Sequence, residues 1–237
     1  MIAIFSYIDK PPVNNYILLQ GDLIMFKQIF LGFIMCLMGA QLTASNNSTI
    51  KLPDPQKEGG MALMEALDNR KTQRSFSSKD LSNQTLSNLL WAAFGINRPE
   101  SGKRTAPSAV DWQEIDIYVA AKSGTYFYNA EKNALEKILD QDIRNQTGTQ
   151  GFVDDAPINL VFVADYSRMG SDMSDQARKY YSWCDTGYIS QNVYLFCASE
   201  GLATVVRAMV DREKLRKTMQ LKDNQKIVMA QTVGYPD

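Results

Sequence analysis

The sequence predicts an α+β fold, and three observations carry that expectation. Segments with helical spacing and segments with strand-like alternation follow one another in no strict order, unlike a regular βαβ repeat. The 237 residues are 45% hydrophobic, enough to bury one sizeable core. Beyond the first 58 residues, no repeat or internal linker divides the chain.

The N-terminal part supplies no core element. From Met25 the sequence MFKQIFLGFIMCLMGAQLTA places Lys27 ahead of an apolar run over residues 29–38, followed by the small residues Gly39, Ala40 and Ala44. This is the layout of a secretory signal peptide, with an uncleaved anchor as the rival reading. The run is shorter than the ~20 residues that a transmembrane helix needs. The reading takes residues 1–24 as an extension ahead of the true start, 25–44 as a signal peptide cleaved near Ala44, and 45–58 as a polar linker. It predicts an exported protein, periplasmic or secreted, whose folded domain is residues 59–237, without a membrane span in the mature chain.

Within that domain MALMEALDNR (61–70) has helical spacing. In LSNQTLSNLLWAAFG, Ser82 is placed to cap a helix, the stripe is Leu86, Leu89, Leu90, Ala93 and Phe94, and Gly95 stops it. INRPESGKRTAPS reads as a loop rich in turn residues. EIDIYVAA alternates as a strand, GTYFYN reads as a second strand or a turn, and residues 131–143 (EKNALEKILDQDI) read as a helix. APINLVFVAD is a buried strand, a long helix is expected over residues 172–200, DREKLRKTMQ is a short helix opened by Asp211, and KIVMAQTVGYP is a final strand. Cys184 and Cys197, 13 residues apart in the long helix, would lie ~20 Å from each other, far beyond the ~7 Å a disulfide spans. Both are expected to be core thiols.

Composition narrows the chemistry. Net charge is −1, with no long run of one sign, so nothing points to nucleic acid. The chain has no histidine. Serine–histidine and cysteine–histidine catalysis and histidine-ligated zinc are thereby excluded, and no metal-type cysteine spacing exists. The chemistry falls to other groups or to a cofactor.

NRKTQRSF (69–76) sets Arg70, Thr72 and Arg74 at every second position. In an extended chain these three side chains share one face and cover ~13 Å. That is the reach of a phosphate and the polar chain attached to it. On a helix, Thr72 would point away from the two arginines.

The order of segments adds to this. A helix leads into RKTQR, a second helix ends LLWAAFGI, RTAPSAVDWQEIDIYVA follows, and much later come SQNVYLFCASEGLATVVRAMVDRE and a closing VGYP. This resembles the nitroreductase family of FMN-dependent oxidoreductases, within it the branch that includes the SagB-type peptide dehydrogenases, over residues 59–236. The resemblance implies a central, mostly antiparallel sheet flanked by helices, in a homodimer that binds FMN. It places Arg70 at the phosphate and ribityl chain, Thr72 beside it, and Arg74 near N1 and O2 of the flavin ring. A cation there stabilises the negative charge of the reduced ring.

By the same resemblance, Pro107, Ser108 and Ala109 belong to a loop that serves the partner subunit's flavin, with Asp111 where many relatives have asparagine. Ala208 and Met209 stand where a peptide N–H meets flavin N5, Met209 where many relatives carry glycine. Many relatives continue beyond VGYP with lysine and arginine for the phosphate, and here Lys103 or Arg104 is the candidate to supply that charge. Lys179 and Tyr180 match the adjacency of the catalytic lysine–tyrosine pair of azoline-oxidising relatives, although a solvated helix face accounts for them as well. The implied reaction passes hydride from NAD(P)H to N5 and on to an acceptor. Export would separate the enzyme from that reductant, leaving open another donor or direct oxidation of a small or peptide-derived substrate. A flavin-binding protein without catalysis is the competing class.

Overall fold

Chain order in the computed structural model, which describes residues 48–237, runs β1 (Thr49–Lys51), α1 (Leu63–Asn69), α2 (Asn83–Phe94), β2 (Ile96–Arg98), β3 (Lys103–Arg104), β4 (Ile115–Ala121), β5 (Gly124–Asn129), β6 (Ala134–Leu139), β7 (Ile158–Asp165), α3 (Asp175–Ser199), β8 (Ala203–Arg207), α4 (Arg212–Thr218) and β9 (Gln225–Gly234). The readings for residues 1–47, including the signal peptide, lie outside the described residues.

Seven strands form one sheet in the order β1-β6-β5-β4-β7-β9-β8. Every pairing in it is antiparallel. β7 lies between β4 and β9 with all residues from Ile158 to Ala164 buried, which is why it reads as an apolar run interrupted only by Asn159. One face of the sheet, with Ile115, Ile117, Leu160 and Phe162, packs against Leu89, Leu90 and Phe94 of α2 and Ile189 and Val193 of α3. The other face, with Val161 and Val163, is covered by Leu215 of α4 and Met219 just after it. The α+β expectation, an antiparallel sheet flanked by helices, is borne out.

Local chemistry sets the helix ends. Ser82 Oγ accepts the Thr85 N–H at 3.0 Å, as a capping serine does. α3 begins three residues later than expected because Ser174 caps it through the Ala177 N–H. Gly95 stops α2 by close approach: a Cβ there would lie 2.4 Å from the Trp91 side chain and 2.7 Å from its backbone.

Three expectations need correction. Residues 131–143 are not a helix. They form a turn and then β6, which pairs with β5 on one side and β1 on the other. Pairing on both edges outweighs the good helix propensity of this Ala-, Leu-, Glu- and Lys-rich segment. The stretch read as a linker, residues 45–58, contains β1 and Leu52, which is only 2% exposed. Cys197 is a core thiol, its pKa pushed up by burial, but Cys184 is exposed. It shares the outward side of α3 with Tyr181 and Tyr188, one turn to either side. The turn-rich segment after α2 also holds the two-stranded hairpin β2–β3. Among the described residues no helix is long and apolar enough to cross a membrane, and no group of three or more metal-binding side chains occurs.

Candidate active site

The chain leaves α1 at Arg70 with φ −59° and ψ 118°, and no helix or strand forms again before α2. The Arg70 guanidinium lies over the Tyr194 ring, 5.4 Å from its centroid. The Thr72 hydroxyl is 3.1 Å from Tyr194 Oη. That phenol oxygen also accepts the Val206 N–H at 3.1 Å, and the Gln73 N–H donates to the Thr204 carbonyl at 3.1 Å. One tyrosine of α3 thus joins the 70–74 stretch to β8. Arg74 is exposed and borders a surface recess with Phe76, Asp155 and Asp237. Among the described residues neither Arg70 nor Arg74 has a carboxylate within ion-pair distance.

β8 ends beside this stretch. Its last residue, Arg207, points inward and is 5% exposed. It donates to Thr147 O at 2.8 Å, Asn159 Oδ1 at 2.6 Å and Thr232 Oγ1 at 2.9 Å. Among the described residues no carboxylate pairs with it, and burial pulls its pKa down to about 10. Gly148 makes room for it, since a Cβ there would fall 1.8 Å from Arg207 Nη1. The next two residues are exposed, Met209 at 65%. Their carbonyls are engaged from within: Ala208 O accepts from Val210 N and from Arg212, both at 3.0 Å, and Met209 O from Thr149 N at 3.2 Å. The N–H groups of Ala208 and Met209 meet no acceptor among the described residues.

The 107–113 loop lies farther along α3. Its contacts there are Tyr181 and Asp185, the latter nine residues before Tyr194, or ~14 Å along the helix axis. Val110, Asp111 and Gln113 have φ of 51°, 59° and 48°, a region that costs a residue bearing a Cβ roughly 1–2 kcal/mol. Aspartate tolerates it better than the β-branched Val110, which is 80% exposed. Hydrogen bonds hold this geometry. The Ala109 N–H donates to Asp185 Oδ2 at 2.9 Å. Ser108 Oγ accepts the Gln113 N–H at 2.8 Å and donates to Glu114 Oε2 at 3.2 Å. Gln113 also takes Arg104 Nε on its side chain at 2.6 Å and Arg168 on its carbonyl at 2.7 Å.

The predicted residues therefore form two groups within one chain. Arg70, Thr72, Ala208 and Met209 gather around Tyr194 and the end of β8, while Pro107, Ser108 and Ala109 sit near Asp185. Arg104 belongs with the second group: it binds Gln113 and the Phe94 carbonyl and lies 4.7 Å over the Phe94 ring. Its guanidinium is tied into the loop rather than set beside Arg70. Lys179 and Tyr180 are exposed near the start of α3, with Tyr180 Oη accepting from Gln176 at 3.0 Å. Fourteen residues separate Tyr180 from Tyr194, or ~21 Å along the axis, and the structure does not bring the pair to either group.

Comparison with known proteins fits this arrangement. The Nitroreductase family profile matches residues 67–235, which include both groups. The chain belongs to the nitroreductase family. A provisionally named nitroreductase of Methanocaldococcus jannaschii is 32% identical over 191 residues, covering 76% of this chain and 93% of that protein. A crystal structure of a provisionally named nitroreductase from Ralstonia eutropha aligns with a TM-score of 0.77 and 40% identity, over 82% of this chain and 92% of that one. The NADPH:FMN oxidoreductase of Vibrio harveyi, solved with NAD+, shares the fold at 20% identity and a TM-score of 0.55, over 74% of this chain and 69% of that one. Family membership makes the chain an oxidoreductase.

For a nitroreductase-family chain, the residues that sequence reasoning missed are mostly those that hold the predicted ones. Tyr194 and Gln113 are hubs whose roles depend on partners distant in sequence. Arg207 carried a local signal, a cation in phase with the buried Ala203 and Val205 of β8. Glu114 and Asp185, both buried, gave none.

Proposed function

We propose that this chain is an exported, homodimeric, FMN-dependent oxidoreductase that draws its reducing equivalents from a nicotinamide nucleotide. The observation that carries the reading is the convergence at Tyr194. Among the described residues, the Arg70 guanidinium without a carboxylate partner, a hydroxyl and the unpaired N–H groups of Ala208 and Met209 gather near the end of one strand, and Arg74 follows on the same stretch beside its own recess. That donor set fits a phosphorylated ligand with an electron-accepting ring. Bound there, FMN supplies the hydride chemistry.

The chain's own groups bind and orient. Arg70 holds the phosphate end, where a guanidinium offers two parallel donors. Its position over Tyr194 limits the freedom it must lose on binding. Thr72 adds a neutral donor fixed by the same tyrosine. Arg74 provides positive charge toward the ring, and the N–H of Ala208 or Met209 donates to a ring nitrogen. The exposure of Met209 and Val110 supports a second subunit as the opposite wall, with Pro107, Ser108 and Ala109 reaching into the partner's site. Export follows from the layout of residues 25–44. Mass spectrometry of the native protein should find an N-terminus near Ala44.

Purification followed by anaerobic reduction tests the reading. A yellow protein with FMN bound, bleached by NADH or NADPH, is the expected result. A colourless protein that FMN cannot reconstitute contradicts it. Bleaching by another donor alone would keep the flavin and remove the nicotinamide.

A further inference from the structure

We infer that Glu114 and Asp185 share a single proton, and that this proton positions the 107–113 loop. Glu114 is 0% and Asp185 3% exposed. Neither ion-pairs with a lysine or arginine among the described residues. Two buried carboxylates without a cation repel each other in a medium that screens poorly, so one keeps its proton. The hydrogen bonds say which. Asp185 accepts a backbone N–H from Ala109, a bond that suits an ionised carboxylate. Glu114 accepts the Ser108 hydroxyl on Oε2, while its Oε1 is buried with no partner. A proton on Oε1 donates to Asp185 and satisfies that orphan. Burial, with Asp185 nearby, pushes the Glu114 carboxyl up to about 7, in agreement with this assignment.

The pair holds the loop at two points, the Ala109 N–H and the Ser108 hydroxyl. Between Ser108 and Glu114 lie the three left-handed residues Val110, Asp111 and Gln113. Loss of the proton sets a second negative charge against Asp185 and acts on both anchors at once. Other ionisable groups lie around the pair. Tyr166, after β7, has its phenol pushed up by burial. Arg168 is paired with Asp116 and Asp165 while it holds the Gln113 carbonyl. Arg104 is bound to Gln113, and Arg178 is paired with Asp175. Each of these arginines is already engaged, which leaves Asp185 as the charge that acts on Glu114. The consequence for flavin rests on the FMN reading above, whereas proton sharing and loop position do not.

The loop carries its own reporter, since Trp112 packs edge-on against Tyr181 with centroids 5.5 Å apart. Full-length protein labelled with fluorotryptophan would be followed by fluorine NMR between about pH 5 and about pH 9. Loss of one resonance in Trp112→Phe identifies the signal. The Trp112 resonance is expected to titrate with a midpoint near neutrality. In Glu114→Gln, whose amide still donates to Asp185 but cannot ionise, it should hold its low-pH position. A Trp112 resonance that does not titrate, or that titrates in Glu114→Gln as in wild type, overturns the proposal. Carboxyl-carbon NMR of the wild type needs no variant. One member of the pair should stay protonated until near neutrality, and two carboxyls that both ionise below about pH 5 overturn it. FMN affinity measured over the same range should fall several-fold with the loop transition and be level in Glu114→Gln. A loop that titrates in a protein that never binds FMN counts against the flavin reading and leaves the shared proton standing.

Discussion

Thr72 and Tyr194 are joined by a hydroxyl–hydroxyl bond of 3.1 Å, and through it the extended 70–74 stretch is fixed to the end of β8. The phenol oxygen also receives the Val206 N–H, so both groups depend on one atom. Tyr194→Phe keeps the ring under Arg70 but removes that atom, leaving an N–H and a hydroxyl without a partner. Such a loss costs ~1–3 kcal/mol. FMN affinity should fall by about 5- to 10-fold, with a lower melting temperature, as read by FMN titration and calorimetry. Unchanged FMN affinity would remove Thr72 from the site.

Arg70→Ala and Arg74→Ala should fail in different ways. Arg70, held over Tyr194, is assigned to the phosphate, and a charge-assisted contact is worth roughly 1.5–3 kcal/mol. Its loss should weaken FMN binding by about 10- to 100-fold and leave the reduction potential near that of wild type. Arg74 has no such anchor and is assigned to the ring, where positive charge favours the anionic reduced form. Its loss should lower the potential even when FMN is saturating. Binding titrations and midpoint potentials of both variants separate the roles. Wild-type values in both would make NRKTQRSF a solvated loop.

What the sequence made legible was local. The apolar run of β7, the capped stripe of α2 and the alternate spacing of Arg70, Thr72 and Arg74 each depend on neighbours in the chain. What it concealed was set by distant partners. β6 has helix-forming residues and is a strand because β1 and β5 flank it. Arg104 looked available for a phosphate because nothing near it in sequence shows that Gln113 would claim its Nε. The carboxyl pair was hidden for the same reason, since Glu114 precedes β4 and Asp185 stands on α3.

Arg207 is a buried cation whose partners among the described residues are all neutral oxygens. Arg207→Met removes the burden of the charge but strands the Thr147 carbonyl and leaves Asn159 Oδ1 and Thr232 Oγ1 with only the bond between them. The second effect should dominate, because each abandoned buried acceptor costs ~1–3 kcal/mol. We expect a destabilisation of about 2–4 kcal/mol by denaturant titration, with Arg207→Lys recovering part of it. A variant as stable as wild type would mean that the charge costs as much as its hydrogen bonds contribute.

The Glu114 carboxyl also predicts a sign for stability against pH. Its pKa rises from 4.5 unfolded to about 7 folded, so the folded state binds the extra proton between those values. Stability from this group is then greatest below about pH 4.5 and is lost as pH rises through about 7, at most ~3 kcal/mol for a shift of this size. Glu114→Gln should flatten that part of the profile and be relatively more stable at about pH 8. Denaturant midpoints measured across this range decide it. A wild-type profile that rises from pH 5 to pH 8, unchanged in Glu114→Gln, would falsify the assignment.

Large apolar side chains remain exposed in the described chain, and the proposed dimer would cover them with a second copy. Leu63, Met64 and Leu67 line the outside of α1, Tyr181 and Tyr188 the outside of α3, and Val110 and Met209 project from the two halves of the candidate site. We read these side chains as parts of an interaction face, and obligate dimers bury more than ~2,000 Å². Tyr188 lies on the same helix as Tyr194 but faces outward, so it can be changed without touching Thr72 or Arg70. Tyr188→Glu places a charge in the predicted interface and should convert the dimer to a monomer by light scattering. FMN should be lost with it, because the Pro107, Ser108 and Ala109 loop of the partner leaves as well. A Tyr188→Glu monomer that binds FMN as tightly as wild type would show that each chain carries a complete site, and the loop would then have no role in the partner.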